Sequence, residues 1–164
     1  MSLKQRLKGQ IKRSRGYSEE LLAAFETPEQ WTHQVHENAN HALWFAGHMG
    51  VVDDFMISVV DRSQVAGKEG YQEKFGMGSQ PVSDPGQYPS PDEVLDYMRD
   101  RRKTLLSVLD ALSEEDLLKP APEGTPDFLT DIASVFELAA WHEGLHSGQV
   151  SVARKALGNA PVHG

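Results

Sequence analysis

Apolar residues recur at intervals of three and four along four stretches of the chain, which is the pattern of amphipathic helices. In the first stretch, Leu3, Leu7 and Ile11 recur every four residues and predict a helix of about fifteen residues. Gly16 follows this pattern and is expected to interrupt the helix. Ser18 then looks like the N-cap of a separate short helix, because serine is a favoured residue at that position.

Three longer patterns follow, over residues 37–62, 90–112 and 128–157. The third helix has the clearest start, because Ser90 stands at the N-cap position and Pro91 at the first helical position. No stretch of useful length shows the alternation of a β-strand. The sequence therefore predicts an all-α protein, a four-helix bundle that forms one domain over residues 1–164.

The connection between helices two and three, residues 63–91, is rich in glycine and proline and is longer than is usual between helices. Two readings of this segment are open. It can be a long crossover loop packed over the bundle, or it can form a wall or lid on a substrate pocket. The two readings are compatible with each other.

The amino-acid composition excludes several kinds of site and segment. The 164 residues include no cysteine, which excludes disulfides, thiolate metal ligands and a cysteine nucleophile. We find no apolar run that approaches the length of a membrane span, and no secretory signal at the N-terminus. A cytoplasmic protein without a membrane partner is therefore expected.

Charge is distributed unevenly along the chain. The net charge is −8, yet residues 1–16 carry six basic residues and no acidic one. The acidic remainder argues against nucleic-acid binding, which needs clustered positive charge. We interpret the basic end as the solvated face of a first helix that complements the acidic body, with an organelle-targeting helix and a membrane or nucleic-acid patch as alternatives. Four basic residues of helix three are interpreted in the same way: Arg99, Arg101, Arg102 and Lys103.

Two histidines of the last helix, His142 and His146, are four residues apart in an otherwise apolar run. Residues at this spacing lie on one face of a helix, about 6 Å apart along its axis. Two imidazoles so placed can reach one metal ion. A third ligand from the facing helix is then expected in the bundle core, and both His41 and His48 are candidates. They lie seven residues apart, so both cannot easily bind the same ion.

The same segment also spells H-E-x-x-H, a motif of zinc peptidases in which the glutamate acts as general base. Only 18 residues follow His146, and they contain no acidic residue and a single histidine, His163. A downstream third ligand and a substrate-binding subdomain are therefore missing. We interpret Glu143 as an acid of the helix surface or of the shell around the metal ligands.

Two motifs together resemble the DinB-like family, the damage-inducible and thiol-transferase superfamily. The segment Trp44-Phe45-Ala46-Gly47-His48 resembles the family's W-x-x-G-H element. The segment H-E-G-L-H-S-G-Q-V at 142–150 resembles its H-E-x-x-H-x-G-Q-I element. The resemblance implies a four-helix bundle with an unusual connection between helices two and three. It also implies a nickel or zinc ion held by His48, His142 and His146, and often a homodimer.

Characterised members of this family include S-transferases that use bacillithiol or mycothiol, and a mycothiol-dependent maleylpyruvate isomerase. We therefore expect a metal-dependent thiol S-transferase that acts on a small molecule with a low-molecular-weight thiol. Four side chains are expected around its pocket or its metal ligands, in addition to Glu143: His41, Trp44, Trp141 and Gln149. Three alternatives stay open, namely a metal-dependent hydrolase, a non-catalytic metal-binding stress-response protein and a structural metal clasp.

Overall fold

The computed structural model describes residues 1–163, and four long helices dominate it. They are α1 (Leu3–Leu22), α3 (Ala42–Val60), α5 (Pro91–Ala111) and α7 (Ile132–Ala156). Three short helices lie between them: α2 (Pro28–Trp31), α4 (Tyr71–Phe75) and α6 (Glu114–Leu117). The described residues contain no β-strand, only one isolated bridge between Pro120 and Asp131. The predicted all-α fold is confirmed.

The prediction that Gly16 interrupts the first helix is wrong. The helix α1 continues through it to Leu22, and Gly16 is an exposed position with open space around it. Ser18 is not an N-cap. Its hydroxyl is buried and donates to the carbonyl oxygen of Ser14 at 3.1 Å, one turn earlier in the same helix. A single glycine costs a helix only about 1 kcal/mol relative to alanine, and the apolar face of α1 continues beyond it.

Two other helix starts also differ from prediction, because each is set by a capping side chain. The helix α3 begins at Ala42 rather than near residue 37, with His41 as its N-cap. The helix α7 begins at Ile132 rather than near residue 128, because Asp131 and Ser134 form a capping box. The predicted start of α5 is confirmed, with the Ser90 side chain accepting from the backbone N–H of Glu93.

The long helices enclose two apolar clusters, one at each end of the bundle. The helix α3 packs most extensively against α5, and α1 packs most extensively against α7. One cluster contains Trp44, Phe45 and Met98, whereas the other contains Ile57, Leu105 and Phe136. The expectation that no apolar run approaches the length of a membrane span is wrong for α3, which is 19 residues long and apolar enough to span one by length and composition. Because 67% of this apolar window is buried inside the bundle, α3 is a core helix.

A ring of four charged side chains separates the two apolar clusters. Arg15, Asp53, Arg102 and Glu143 each come from a different long helix and are at most 8% exposed. Arg15 Nε donates to Glu143 Oε1 at 2.6 Å, and Arg15 Nη2 donates to Asp53 Oδ2 at 3.3 Å. Arg102 holds both Asp53 oxygens, at 2.8 and 2.9 Å, and its Nη1 lies 2.7 Å from Glu143 Oε2. We call these four residues the ionic ring.

Buried ion pairs correct the prediction for two basic residues of helix three. The acidic partners Asp53 and Asp54 of α3 are both buried. Asp53 belongs to the ionic ring, whereas Asp54 accepts from Arg101 Nη1 at 3.0 Å. Arg101 and Arg102 are likewise buried and are not on a solvated face. Their burial is possible because each guanidinium is paired with a carboxylate, which offsets the cost of removing both charges from water.

The remaining basic residues mostly agree with prediction. Arg99 is exposed and pairs through two hydrogen bonds with Glu19, at 3.0 and 2.8 Å. In the basic N-terminal segment, Lys8 forms an ion pair with Asp110 at 2.6 Å. These contacts fit the predicted solvated face that complements an acidic body. Arg15 is the exception in this segment, because it belongs to the ionic ring.

The connection between α3 and α5 is packed against the bundle. The short helix α4 lies against α3, with Phe75 and Tyr71 buried and their rings 5.1 Å apart. Farther along, Tyr88 stacks on Phe75 at a centroid distance of 5.7 Å. Lys74 Nζ donates to the carbonyl oxygen of Gln87 at 2.7 Å, which ties the two parts of the connection together. The end of α4 therefore has a fixed position beside α3.

Candidate metal centre

Three imidazoles converge between α3 and α7. Candidate ligand atoms of His48, His142 and His146 all lie within 4.8 Å of one another. The ring centroids are 5.0 Å apart for His48 and His142, 4.9 Å for His48 and His146, and 4.6 Å for His142 and His146. Two nitrogens bound to one zinc ion are at most about 4.2 Å apart. Small side-chain rotations are therefore enough to bring all three to one ion.

Hydrogen bonds fix the tautomers of two of these histidines. His48 Nδ1 lies 2.6 Å from the carbonyl oxygen of Phe75, so the nitrogen must donate. His146 Nδ1 likewise lies 2.9 Å from Gln149 Oε1, which also accepts from Asn40 Nδ2 at 3.1 Å. In both rings Nε2 is then the nitrogen with a free lone pair. Such outer partners orient histidine ligands in metal sites.

The third imidazole gives a direct test of fit. His142 Nδ1 is buried and has no hydrogen-bond partner among the described residues. A buried polar atom without a partner is costly, and coordination of an ion is one way to satisfy it. Burial also lowers the pKa of His142 to about 4, an effect increased by the neighbouring His146 and His48. Burial lowers the pKa of His48 to about 4 as well. Both rings are therefore neutral at pH 7, which is the form that binds metals.

Trp44 lies one turn before His48 in α3 and packs against the group of three histidines. Its ring stacks on His48 at a centroid distance of 4.3 Å and an interplanar angle of 16°. Its Nε1 donates to Ser79 Oγ at 2.8 Å, and Ser79 Oγ donates to the carbonyl oxygen of Gly76 at 2.8 Å. The segment 75–79 is thus held against the centre at two points, through His48 and through Trp44.

The close packing of Phe75 on α3 requires a glycine at position 47, directly before His48. A Cβ atom at this position would lie 2.3 Å from Cγ of Phe75, far inside van der Waals contact. The glycine therefore allows the Phe75 ring to pack directly on the α3 backbone. Because the Phe75 carbonyl oxygen holds His48, this close approach also positions a candidate metal ligand.

We expect Gly47→Ala to destabilise the protein by about 1–3 kcal/mol, because overpacking forces buried groups to shift. Gly16→Ala is the matched control. It is also a helical glycine, but nothing lies within 4 Å of its Cβ position, so stabilisation by about 0.5–1 kcal/mol is expected. Denaturant unfolding of both variants measures the two effects. Equal stability changes would contradict the role assigned to Gly47.

His41 lies outside the group of three histidines and caps α3. Its Nδ1 accepts from the backbone N–H of Trp44 at 3.0 Å, so the neutral ring is required. The side chain is fully buried, and burial lowers its pKa to about 4. His41 therefore supports the start of the helix that carries Trp44 and His48, instead of competing with His48 for the ion.

The cap predicts a pH dependence of the stability of the metal-free protein. Because the pKa of His41 is about 4 in the folded state and 6.5 ordinarily, the unfolded chain binds the proton first as pH falls. This stabilisation is full above pH 6.5 and decreases by about 3 kcal/mol towards pH 4. His41→Asn keeps a capping side chain without that titration. The variant should therefore lose about 3 kcal/mol less than wild type between pH 7 and pH 4.

Urea unfolding at several pH values, with a chelator present, measures this difference. His36→Asn is the control, because His36 is exposed and its removal should leave the pH profile unchanged. Parallel profiles for wild type and His41→Asn would contradict the assignment of the cap.

The other residues predicted around the pocket or the metal ligands differ in their burial and contacts. Gln149 is exposed and orients His146. Glu143 is not a surface acid, since it is fully buried within the ionic ring, directly after His142. Trp141 is 63% exposed and lines a shallow cavity with Arg13 and other residues of α1 and α7.

Sequence reasoning missed Asn40 and Phe75, which support His146 and His48. His163 stacks on Tyr17 at 5.7 Å, so it supplies no third peptidase ligand.

Comparison with known proteins gives one match. The family model described as the DinB superfamily matches residues 10–150, which include the three converging histidines and the four residues of the ionic ring. No curated protein and no solved structure gives a significant match.

Proposed function

The chain belongs to the DinB superfamily, and on this basis we propose that it is a metal-dependent thiol S-transferase. The observation that carries the proposal is the convergence of His48, His142 and His146. Three histidines leave open coordination positions, as a catalytic site requires. Nickel and zinc are the proposed ions, because both accept imidazole ligands.

The ion would favour the deprotonated, nucleophilic form of a low-molecular-weight thiol at neutral pH. The sulfur would form a bond to an electrophilic carbon of a second small molecule. The leaving group would depart with its electron pair, and the thiol proton would pass to solvent. The products are then a thioether and the protonated or anionic leaving group.

The side chains around the histidines define where substrates can approach. His142 and His146 are partly exposed, whereas His48 is buried beneath Trp44. Trp44 and the segment 75–79 close one side of the centre. Gln149 contacts His146, and Asn40 donates to Gln149. Substrates would therefore enter beside Gln149, where the amide groups can donate to a polar group of the thiol.

A panel of thiols and electrophiles tests the activity. The protein, loaded with zinc or with nickel, is incubated with bacillithiol, mycothiol, glutathione or cysteine and an alkylating substrate, and remaining thiol is measured. Metal-dependent thiol loss that disappears in His146→Ala supports the proposal. No loss with either metal would contradict it. Cleavage of ester substrates without thiol would instead indicate a hydrolase that activates water.

We also propose that two copies of the chain form a homodimer through the outer face of α7. Trp141, Leu145 and Val152 lie on one side of this helix and are 63%, 54% and 54% exposed. Exposed apolar surface of this kind is typical of interaction sites. Sedimentation should give a dimer for wild type and a monomer for Leu145→Glu. Leu118→Glu, at an exposed leucine elsewhere, should stay dimeric.

A further inference from the structure

We propose that the ionic ring sets the axial register of α3 and α7, and so positions the three histidines for one ion. Its residues are then positioning residues that act through His48, His142 and His146, without contacting the ion or a substrate. This inference rests on the proposed metal centre. It adds a specific role for four residues that do not belong to that centre.

The first support is the position of the ring in the fold. Each of the four long helices contributes one residue, and in each helix that residue stands between the two apolar clusters. In α3, for example, Asp53 lies between Met49 of one cluster and Met56 of the other. In α5, Arg102 lies between Met98 and Leu105 in the same way. The ring is therefore a charged layer between the two apolar clusters.

The second support is the pattern of pairing. The two carboxylates come from the helices that carry the histidines, α3 and α7, and the two guanidiniums come from α1 and α5. Arg15 contacts both carboxylates, and so does Arg102. Each arginine thus bridges α3 and α7. The arginines therefore hold α3 and α7, the two helices that carry the histidines, relative to each other. Asp53 and Glu143 are both carboxylates and do not pair directly.

The third support is energetic. The hydrophobic effect is not directional, so an apolar layer specifies the register of two helices only through the fit of its side chains. In a charged layer, a shift of one turn, about 5.4 Å, would also separate buried carboxylates from their partners. Buried ion pairs are often no more stabilising than apolar side chains of similar size, and fixing register is their best-attested role. Stability alone therefore does not explain the ring.

The fourth support is its proximity to the histidines. Glu143 directly follows His142, and Asp53 lies five residues after His48. Along the helix axes these separations are about 1.5 and 7.5 Å. The candidate ligand atoms already lie up to 4.8 Å apart, so an additional displacement of one turn would take them out of reach of one ion. Register at the ring therefore decides whether the metal centre can form.

The test replaces the whole ring with apolar side chains: Arg15→Met, Asp53→Leu, Arg102→Met and Glu143→Leu in one protein. Thermal unfolding is measured in chelator, and zinc affinity is measured by competition with a chromophoric chelator. We expect metal-free stability equal to or above that of wild type, together with zinc affinity at least tenfold lower. The cobalt(II) absorption spectrum should also change, because it reports coordination geometry independently of activity.

The matched control removes an exposed pair between α1 and α5, with Glu19→Leu and Arg99→Met, and should leave zinc affinity unchanged. If the fourfold variant does not fold, Arg15→Met with Glu143→Gln removes one charge of each sign, and zinc affinity about threefold lower is expected. Wild-type zinc affinity and an unchanged cobalt spectrum in a folded ring variant would overturn the role of the ring but not the metal centre. Failure of wild-type protein to bind zinc would overturn both.

Discussion

Replacing His142 with alanine is expected to weaken zinc binding by more than about 100-fold. Changes in the outer partners of metal ligands typically cost 10–100-fold in affinity, so loss of a ligand should cost more. His142 has the buried Nδ1 without a hydrogen-bond partner, and its neutral ring needs no deprotonation to bind at pH 7. Isothermal titration with zinc measures the affinity directly. His48→Ala and His146→Ala should give losses of similar size.

Thermal unfolding provides a second measurement of the same prediction. At a zinc concentration of 100 times the dissociation constant, wild type should gain about 2.7 kcal/mol, or about 5–10 °C in midpoint. His142→Ala should show almost no gain under the same conditions. His36→Ala is the control, because His36 is exposed and lies outside the group of three histidines, and it should behave as wild type. Full zinc affinity in all three ligand variants would refute the site.

The helices that local chemistry defines could be predicted from the sequence. Ser90 and Pro91 mark the start of α5 because their capping chemistry needs no tertiary contact. The start of α3 could not be placed, since histidine is not among the favoured N-cap residues and the bond from the Trp44 backbone N–H to His41 Nδ1 is seen only in the fold. The continuation of α1 through Gly16 depends on packing of its first half into one apolar cluster and its second half into the other, which outweighs one glycine.

The convergence of three histidines that could hold a metal ion was predictable from spacing and motif, whereas the contacts that support these histidines were not. His142 and His146 share a helix, and the resemblance selected His48 on the facing helix. Asn40 and Phe75 lie in connections, where the sequence has no periodicity that places a side chain or a carbonyl oxygen. Their hydrogen bonds to Gln149 and His48 depend on how those connections fold back onto the bundle.

The residues of the ionic ring follow the helical spacing of the buried apolar residues in the sequence. Arg15 continues the four-residue track of Leu7 and Ile11, and Glu143 falls four residues after the buried Ala139. A single charged residue on the apolar face of a helix is unusual, because burial of an unpaired charge is costly. Two arginines and two carboxylates in phase on four helices of one bundle can compensate each other. Recognising the ring therefore requires reading four helices together, since no single helix contains the compensation.

Replacing only one member of the ring should then be strongly destabilising. We expect Arg102→Met to cost about 3–5 kcal/mol, because it leaves Asp53 with one weaker partner and removes the cation beside Glu143 Oε2. For a chain of this size, the thermal midpoint should fall by roughly 6–20 °C. Arg99→Met is the matched control on the same helix. Its exposed pair with Glu19 should contribute no more than about 1 kcal/mol.

Comparing the stability losses of Arg102→Met and Arg99→Met separates the effect of burial from the effect of the charged contact itself. Both guanidiniums make two hydrogen bonds to one carboxylate, at 2.8 and 2.9 Å for Arg102 and at 3.0 and 2.8 Å for Arg99. They differ in exposure, since the Arg102 side chain is 5% exposed and the Arg99 side chain is 52% exposed. Equal losses of stability would show that contact geometry alone sets the energy. A much larger loss for Arg102→Met, recovered when the carboxylates are also replaced, would show that the unpaired buried charges carry it.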